Sequence, residues 1–183
     1  MRRALTWLLL SATLVAGPAR ALTLERIEAR YERGVYRVSL QAVLAATPEA
    51  IVAVLSDYRD YPSLDRRIRS SEEVDAPGGV VLVRTLIHAC AGFFCRNVQR
   101  VERIDRTPDG IVATVVPEQS DVRHGVARTR WQVRDGGTWV SYEAEFEPGF
   151  WVPAIVGRTL ALDSLRASTL ELFGNLEARA HGR

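Results

Sequence analysis

The residues of this chain that could do chemistry are few, and its two cysteines are the most informative. Cys90 and Cys95 are the only cysteines, and they enclose the apolar segment Ala91-Gly92-Phe93-Phe94. The flanking segments 80–89 and 96–105 have the composition of strands. A hairpin with a four-residue loop would place the two cysteines opposite each other, within bridging distance. We therefore expect a disulfide that holds an apolar loop tip rigid.

A metal site is the alternative use of the same cysteines, with His88 as a third ligand. No second pair of ligands accompanies them in the sequence, so we expect neither a metal site nor another bound cofactor. A redox-active pair would need a different spacing and a helix N-terminus, which a hairpin does not offer.

Catalytic motifs are missing from the sequence, which holds only three histidines, His88, His124 and His181. We find no nucleophile elbow, phosphate-binding loop, zinc motif or nucleotide fingerprint. One loop combines groups that could act as an acid and a base, but a solvated polar loop explains them better. Those groups are Glu118, Asp121, Arg123 and His124. The sequence favours a binding protein over an enzyme.

The N-terminal residues 1–21 have the pattern of a secretory signal peptide. Met1-Arg2-Arg3 is basic, residues 4–16 are mostly apolar, and Ala19-Arg20-Ala21 is a small-x-small cleavage site. The apolar run is shorter than the roughly 20 residues that a membrane span needs, although an uncleaved anchor is the alternative. We expect a periplasmic or secreted protein that begins near Leu22.

The charge of the chain after cleavage excludes a nucleic-acid partner. The leader contains three of the 24 basic residues and no acid, so 21 basic residues remain against 22 acidic ones, a net charge of −1. These charges alternate along the chain without forming a basic block. Residues 22–183 are enough for one domain with a sizeable core.

The order of predicted elements starts with strands and ends with a helix. Residues 27–46 are rich in strand formers and break at Arg33-Gly34. Thr47-Pro48-Glu49 has the cap and proline of a helix start, and a second short helix is expected over residues 63–67. Turn residues then divide the chain into a meander of six strands. A long helix is predicted from Pro153 to Arg179.

The last helix carries a wide apolar stripe, which needs a concave apolar surface to lie on. A curved antiparallel sheet supplies such a surface, and the pair commonly encloses a cavity. The stripe consists of Ile155, Leu162, Leu165, Thr169, Leu172 and Leu176.

The register of one hairpin can be predicted if Gly136-Gly137 is its two-residue turn. Charged pairs then lie on the solvent face and apolar pairs on the face toward the helix. These pairs are Arg130 with Glu143, Arg128 with Glu145, Val133 with Val140, and Trp131 with Tyr142. In the strands around the cysteines, Arg84, Arg100 and Glu102 interrupt the alternation, so we expect some of them to point inward, toward a ligand or water.

This order of elements resembles the START-like (SRPBCC) superfamily, which includes the polyketide cyclases/dehydrases and the coenzyme Q-binding proteins. The resemblance is carried by the stretch from Thr47-Pro48-Glu49 to Asp60-Tyr61-Pro62 and by the ending Leu172 to Ala180. It implies an α+β helix-grip fold, in which a curved antiparallel sheet of about seven strands wraps around a long C-terminal helix. Two short helices would follow the first strand. Such motifs specify a fold and not a reaction.

The implied cavity between sheet and helix has a predicted wall and a predicted mouth. The wall would include Val115, Trp131, Val133, Tyr142, Phe146, Leu162, Leu165 and Leu172. Strand alternation places the cysteine hairpin, the 118–125 loop and the 148–151 connection at one end, which would be the mouth. That end collects the aromatic residues Phe93, Phe94, Phe150 and Trp151, and Arg96, Arg123 and Arg158 lie near it as candidates for holding an anionic head group.

These observations predict a soluble, monomeric, periplasmic protein that binds or carries a lipid or another hydrophobic small molecule. Its aromatic rim would touch a membrane surface transiently or admit the ligand. The alternatives are a cyclase/dehydratase-type enzyme that uses the same cavity, and an interaction module whose cavity is filled by its own side chains.

Overall fold

The computed structural model of the protein describes residues 22–152 and 158–181. In this part of the chain one antiparallel sheet packs against one long helix. The predicted signal peptide, residues 1–21, and the predicted helix start at Pro153 lie outside the described residues.

The sheet contains eight strands in the order β1-β2-β8-β7-β6-β5-β4-β3, and all neighbours are antiparallel. The strands are β1 Thr23–Glu32, β2 Val35–Leu44, β3 Ile68–Val74, β4 Val81–Ala91, β5 Phe94–Thr107, β6 Gly110–Val115, β7 Val122–Arg134 and β8 Gly137–Pro148. The α-helices are α1 Pro48–Leu55 and α2 Arg158–His181, and short 3₁₀ helices cover Tyr58–Ser63, Pro77–Gly79 and Pro117–Gln119.

The sheet has one strand more than the seven expected, because the first strand-rich segment is a complete hairpin. Its turn is Arg33-Gly34, where both residues have a positive φ, 50° and 90°. β1 pairs with β2 from Glu32 and Val35 outward, so β1 becomes the edge strand.

Helix α1 begins where the sequence predicts it. The Thr47 side chain accepts a hydrogen bond from the backbone N–H of Ala50, at 3.3 Å, and Pro48 occupies the first turn. The second short helix lies at Tyr58–Ser63, earlier than the predicted residues 63–67, and it is a 3₁₀ helix. Pro62 has no N–H to donate to an α-helical hydrogen bond, and it disfavours the α conformation in the residue before it. The segment therefore forms a short 3₁₀ helix and not an α-helix.

Helix α2 contacts the sheet through a buried face near its C-terminus. Phe173, Leu176 and Ala180 join the main core, which also contains Leu40 and Val140. Two side chains of α2 add polar links to the surrounding loops: Asn175 donates to the carbonyl of Leu64 at 3.0 Å, and Glu177 accepts from the N–H of Ala45 at 2.8 Å. This end of the helix is therefore closed and well packed.

The β7–β8 hairpin has a register two residues away from the predicted one. Its turn is Asp135-Gly136, and Gly137 already belongs to β8, opposite Arg134. The strand needs Gly137 there, since a Cβ atom at this position would lie 2.1 Å from the carbonyl oxygen of Leu44. The observed partners are Arg130 with Ser141, Arg128 with Glu143, Val133 with Thr138, and Trp131 with Val140. A shift of two residues keeps each side chain on its predicted face.

No helix in the described ranges is both long enough and apolar enough to cross a membrane.

Candidate functional site: a cavity between the sheet and helix α2

The cysteine hairpin joins β4 and β5 at the open end of the sheet. The strands stay paired as far as Ala91 and Phe94, so the turn is the two-residue segment Gly92-Phe93 and not the four-residue loop expected. Cys90 and Cys95 form a disulfide just before this turn. The Ser164 hydroxyl of α2 donates to the Cys90 carbonyl at 3.1 Å. The disulfide thus links the two strands of the hairpin, and the Ser164 hydrogen bond links the hairpin to the N-terminal part of α2.

We expect thiol titration of the denatured, unreduced mature protein to find no free thiol, because the two cysteines bridge within one hairpin. Closure of so short a loop stabilises the fold only modestly, by about 2 kcal/mol in the loop-entropy picture. Prior reduction is the control and should release two thiols. Two titratable thiols in protein prepared without reductant would contradict the bridge.

Behind the hairpin, an inner cavity of about 230 Å³ lies between the sheet and α2. On the sheet side its lining includes Val38 of β2 and its cross-strand partner Ala144 of β8. Its apolar lining consists of Val38, Ile68, Ile87, Ala89, Val98, Val122, Tyr142, Ala144, Phe146, Pro148, Phe150, Leu165, Leu172 and Phe173. The cavity is therefore an apolar site that a ligand could fill.

A second, outer space of about 130 Å³ adjoins the inner cavity on the side of the cysteine hairpin. The residues that line both spaces are Arg67, Ala89, Phe146, Pro148, Phe150 and Leu165. The outer space is also lined by Tyr36, Cys90, Phe94, Arg96, Val152, Ala161 and Ser164. Together the two spaces lead from the rim into the interior.

Two ion pairs lie beside the inner cavity. Arg67 Nε donates to Asp65 Oδ1 at 2.9 Å, and Arg100 Nε lies 2.9 Å from Glu102 Oε2. The two carboxylates are buried. Arg100 Nε is also buried, but it makes no hydrogen bond of acceptable geometry within the described part of the chain. Buried pairs of this kind cost desolvation energy and need further hydrogen bonds to offset it.

The Tyr142 hydroxyl is a further polar group of the cavity. Its ring packs against Phe173, with 5.2 Å between the ring centroids. Burial raises the pKa of the Tyr142 phenol above its usual range, so the group is a neutral hydroxyl at physiological pH. It has no hydrogen-bond partner among the residues that the structure describes. The hydroxyl is therefore available to a ligand.

The predicted wall residues fall into two groups. Tyr142, Phe146, Leu165 and Leu172 line the inner cavity. The other four do not line either space, and for these the prediction was wrong. Val115 is buried beside Val98 and Val122, Trp131 and Leu162 are half-buried, and Val133 is 71% exposed at the far end of β7. At that end core side chains such as Phe173 and Leu176 fill the space between sheet and helix. Val133 instead lines an open surface groove together with Thr138 and His181.

The predicted rim residues also fall into two groups, one exposed to solvent and one lining the cavity spaces. Phe93 and Trp151 project into solvent, with exposed fractions of 81% and 76%, whereas Phe94 and Phe150 line the cavity spaces. Arg96 lines the outer space and lies over the Phe150 ring, with its guanidinium carbon 4.5 Å from the ring centroid.

Of the two other predicted mouth arginines, the structure describes the side chain of Arg123 alone. Arg123 is exposed and forms an ion pair with Glu147 at 3.3 Å, and it lines neither space. The side chain of Arg158 lies outside the described part of the chain.

The acidic and basic side chains of residues 118–124 point away from the cavity, although Val122 of the same segment lines it. His124 Nε2 is 3.3 Å from Glu145 Oε1, Asp121 accepts from the N–H of Gln99 at 2.8 Å, and Glu118 is exposed. Within the described ranges none of these groups lines either space. They form ordinary surface and turn contacts.

The donor atoms of His88, Cys90 and Cys95 lie within 4.8 Å of one another, which is compatible with a metal site. Both sulfur atoms are in the disulfide, however, and a metal ligand must be a thiolate. The His88 ring instead hydrogen-bonds Asn97 at 2.8 Å.

Several cavity residues carry no sequence signal that would have identified them. Asp65 and Arg67 follow a proline-containing turn and look like solvated charges. Arg100 and Glu102 did carry a signal, since they break the alternation of β5, and their inward orientation agrees with that expectation. The third residue of that prediction, Arg84, instead lies on the outer face and pairs with Glu72 at 3.0 Å.

Comparison with known proteins identifies relatives of the fold. A family model described as "Polyketide cyclase / dehydrase and lipid transport" matches residues 36–177. Among curated proteins, none matches the sequence.

Three solved structures illustrate the likeness. An aromatase/cyclase from Streptomyces sp. R1128 has a TM-score of 0.60 and 19% identity, over 81% of this chain and 95% of that one. A START superfamily protein from Mycobacterium smegmatis has a TM-score of 0.61 and 19% identity, over 80% and 97%. A STAR-related lipid transfer protein from Xanthomonas axonopodis has a TM-score of 0.54 and 16% identity, over 89% and 98%. These likenesses confirm the predicted helix-grip fold.

Proposed function

Because the chain belongs to the polyketide cyclase/dehydrase and lipid transport family, we propose that it binds and carries a lipid or another hydrophobic small molecule. The observation that carries this proposal is the cavity of about 230 Å³ between sheet and helix, with its mostly apolar lining. Sites of this kind bury most of the surface of a ligand and orient it through a few polar groups. Here Arg100 and Tyr142 are such groups.

The proposed location is the periplasm. Its support is the leader-like pattern of residues 1–21, together with a disulfide, which persists mainly in oxidising compartments. The exposed Phe93 and Trp151 side chains at the rim suit contact with a membrane surface, where aromatic rings favour the interface.

A cyclase/dehydratase-type enzyme is the second candidate. It is favoured by one observation, the presence of Arg100 and the neutral Tyr142 hydroxyl at the cavity, where they could stabilise negative charge on a carbonyl oxygen. Against it, the acidic and basic side chains of residues 118–124 do not line the cavity, so a carrier is the better-supported function.

Native mass spectrometry of protein purified from its own host, followed by lipid extraction, tests the proposal. We expect one bound hydrophobic species per chain. An enzyme of the second kind would instead release a related pair of molecules that differ by the loss of water. A protein that carries no small molecule and takes up none from added lipids would contradict both functions.

Replacing both exposed rim residues, Phe93→Ser with Trp151→Ser, should weaken vesicle association or apolar-ligand uptake at least tenfold. Each ring can bury roughly 150 Å² or more, and a tenfold loss needs only about 1.4 kcal/mol. The melting temperature should change little, because both side chains are already in solvent. Vesicle flotation and thermal melting measure the two effects, and Val133→Ser is the matched control at the opposite end of the sheet. If the double variant binds normally but its melting temperature falls strongly, the two rings belong to the core and do not form a binding rim.

A further inference from the structure

The charged side chains that line the outer space are all basic. Two arginines, Arg67 and Arg96, line it, and of the described residues no aspartate or glutamate does. Its other lining is mainly apolar, from residues such as Phe94, Phe146 and Phe150. Asp65 offsets the charge of Arg67, so the charge without an acidic partner is that of Arg96, which is exposed to solvent and can attract an anion.

Of the two arginines that line the outer space, Arg96 is the one without an acidic partner. Its guanidinium rests on the Phe150 ring at 4.5 Å, and no carboxylate within the described ranges forms an ion pair with it. Its cross-strand neighbour is the small residue Ala89, which also lines both spaces and leaves the guanidinium accessible from within. The Arg67 guanidinium, which uses Nε and Nη2 to bind Asp65, keeps Nη1 for another acceptor.

The inner cavity, in contrast, is close to electrically neutral. Arg100 is offset by Glu102, and Arg67 is offset by Asp65. What this region offers is polar groups, namely the Arg100 side chain and the Tyr142 hydroxyl, and not net charge. An anionic group therefore fits best in the outer space, and the uncharged body of a ligand fits best in the inner cavity.

The size of the two spaces limits the ligand further. Volumes of about 230 and 130 Å³ are at or below the roughly 300–1,000 Å³ of sites that hold drug-sized ligands. One short chain or one compact ring system fits such a volume, whereas two long acyl chains do not.

We propose that the ligand is a compact or single-chain amphipathic acid, whose anionic group pairs with Arg96 and Arg67 in the outer space while its apolar body occupies the inner cavity. This inference rests on the proposed function, because it concerns the ligand of the same cavity. The anionic group can be a carboxylate or a phosphate, since a guanidinium binds both through paired hydrogen bonds.

Competitive displacement of a neutral fluorescent probe, N-phenyl-1-naphthylamine, tests the inference with the full mature chain. The competitors are dodecanoate, 1-dodecanol, dodecyl phosphate and a two-chain phosphatidate. For the unmodified protein we expect dodecanoate or dodecyl phosphate to displace the probe at a concentration at least tenfold below that of the alcohol. The better of the two identifies the anionic group, and the phosphatidate should compete poorly.

Arg96→Gln should lower the preference for dodecanoate over 1-dodecanol at least tenfold. Arg96→Lys, which keeps the charge, should restore part of the preference. Arg103→Gln is the matched control, because Arg103 lies on the same strand but is exposed and pairs with Asp105 at 3.0 Å. The acid preference should also fall as salt is added, because the outer space is open to ions.

The outcomes separate the two proposals. If the probe binds but acid and alcohol displace it equally, or if Arg96→Gln keeps the acid preference, the acidic ligand is refuted while the carrier function stands. Strong competition by the phosphatidate would refute the single-chain limit. If neither the probe nor any competitor binds and the native protein carries no small molecule, the proposed function fails, and this inference fails with it.

Discussion

Ala144→Trp is expected to abolish ligand binding while the protein still folds. Ala144 lines the cavity on the sheet side, between Val38 and Ala127 on the neighbouring strands. The indole would project into a space of about 230 Å³ and occupy the volume that the ligand needs. A cavity accepts such added volume, whereas a packed core does not without strain of about 1–3 kcal/mol. We expect affinity to fall at least a hundredfold, or about 2.7 kcal/mol.

Leu165→Trp is the second variant, because Leu165 lines both spaces from the helix side and should act in the same way. Val133→Trp is the control, since Val133 is on the same sheet but exposed. Binding is measured with N-phenyl-1-naphthylamine and folding by circular dichroism. If both cavity variants unfold and the parent protein never yields a ligand, the cavity is filled in solution and the chain is an interaction module.

Removal of the Phe173 ring is expected to produce the largest loss of stability. Phe173 is 1% exposed, it packs against Tyr142, and it belongs to the core cluster where α2 meets the sheet. Phe173→Ala should lower the free energy of unfolding by about 3–5 kcal/mol, the usual cost of deleting a buried phenylalanine. That is a large part of the roughly 5–15 kcal/mol of a typical domain. Urea denaturation of ligand-free protein measures it.

Leu160→Ala provides the comparison on the same helix, because Leu160 is 50% exposed near the start of α2. We expect it to cost no more than about 0.5–1 kcal/mol. Ligand must be removed first, since bound ligand adds its own stabilisation and would mask the difference. Equal losses in the two variants would mean that the core does not hold the helix at Phe173.

Local patterns predicted most of the elements, because each element depends on residues close to it in the chain. The Thr47-Pro48 cap, the Cys90–Cys95 hairpin and the last helix correspond to what the structure contains. Ile155 of the predicted stripe lies outside the described residues. The hairpin register was predicted less well. Alternation of side chains fixes the face of a strand but leaves slips of two residues open. The choice of Asp135-Gly136 as the turn depends on the close approach of Gly137 to Leu44, which is distant in the sequence.

The cavity residues, like the hairpin register, were predicted only in part from the sequence. Periodicity placed Tyr142, Phe146, Leu165 and Leu172 on the inner faces of their elements, and these residues line the cavity. It also placed Trp131 and Val133 on the inner face of β7, yet the cavity does not extend to them. The alternation of side chains in a strand indicates which face a residue lies on. It does not indicate where along the strand the cavity ends.

The sequence by itself determined the helix-grip fold, the hairpin of the two cysteines and the apolar faces that had to meet, because these follow from short-range propensity and from the burial of apolar surface. Only the tertiary structure decided where the empty space lies and which charges border it. Arg67 and Asp65 follow the Tyr58–Ser63 turn, Arg96 and Arg100 come from β5, and Leu165 comes from α2. Their meeting results from the curvature of the sheet and the packing of the helix, which no local pattern encodes.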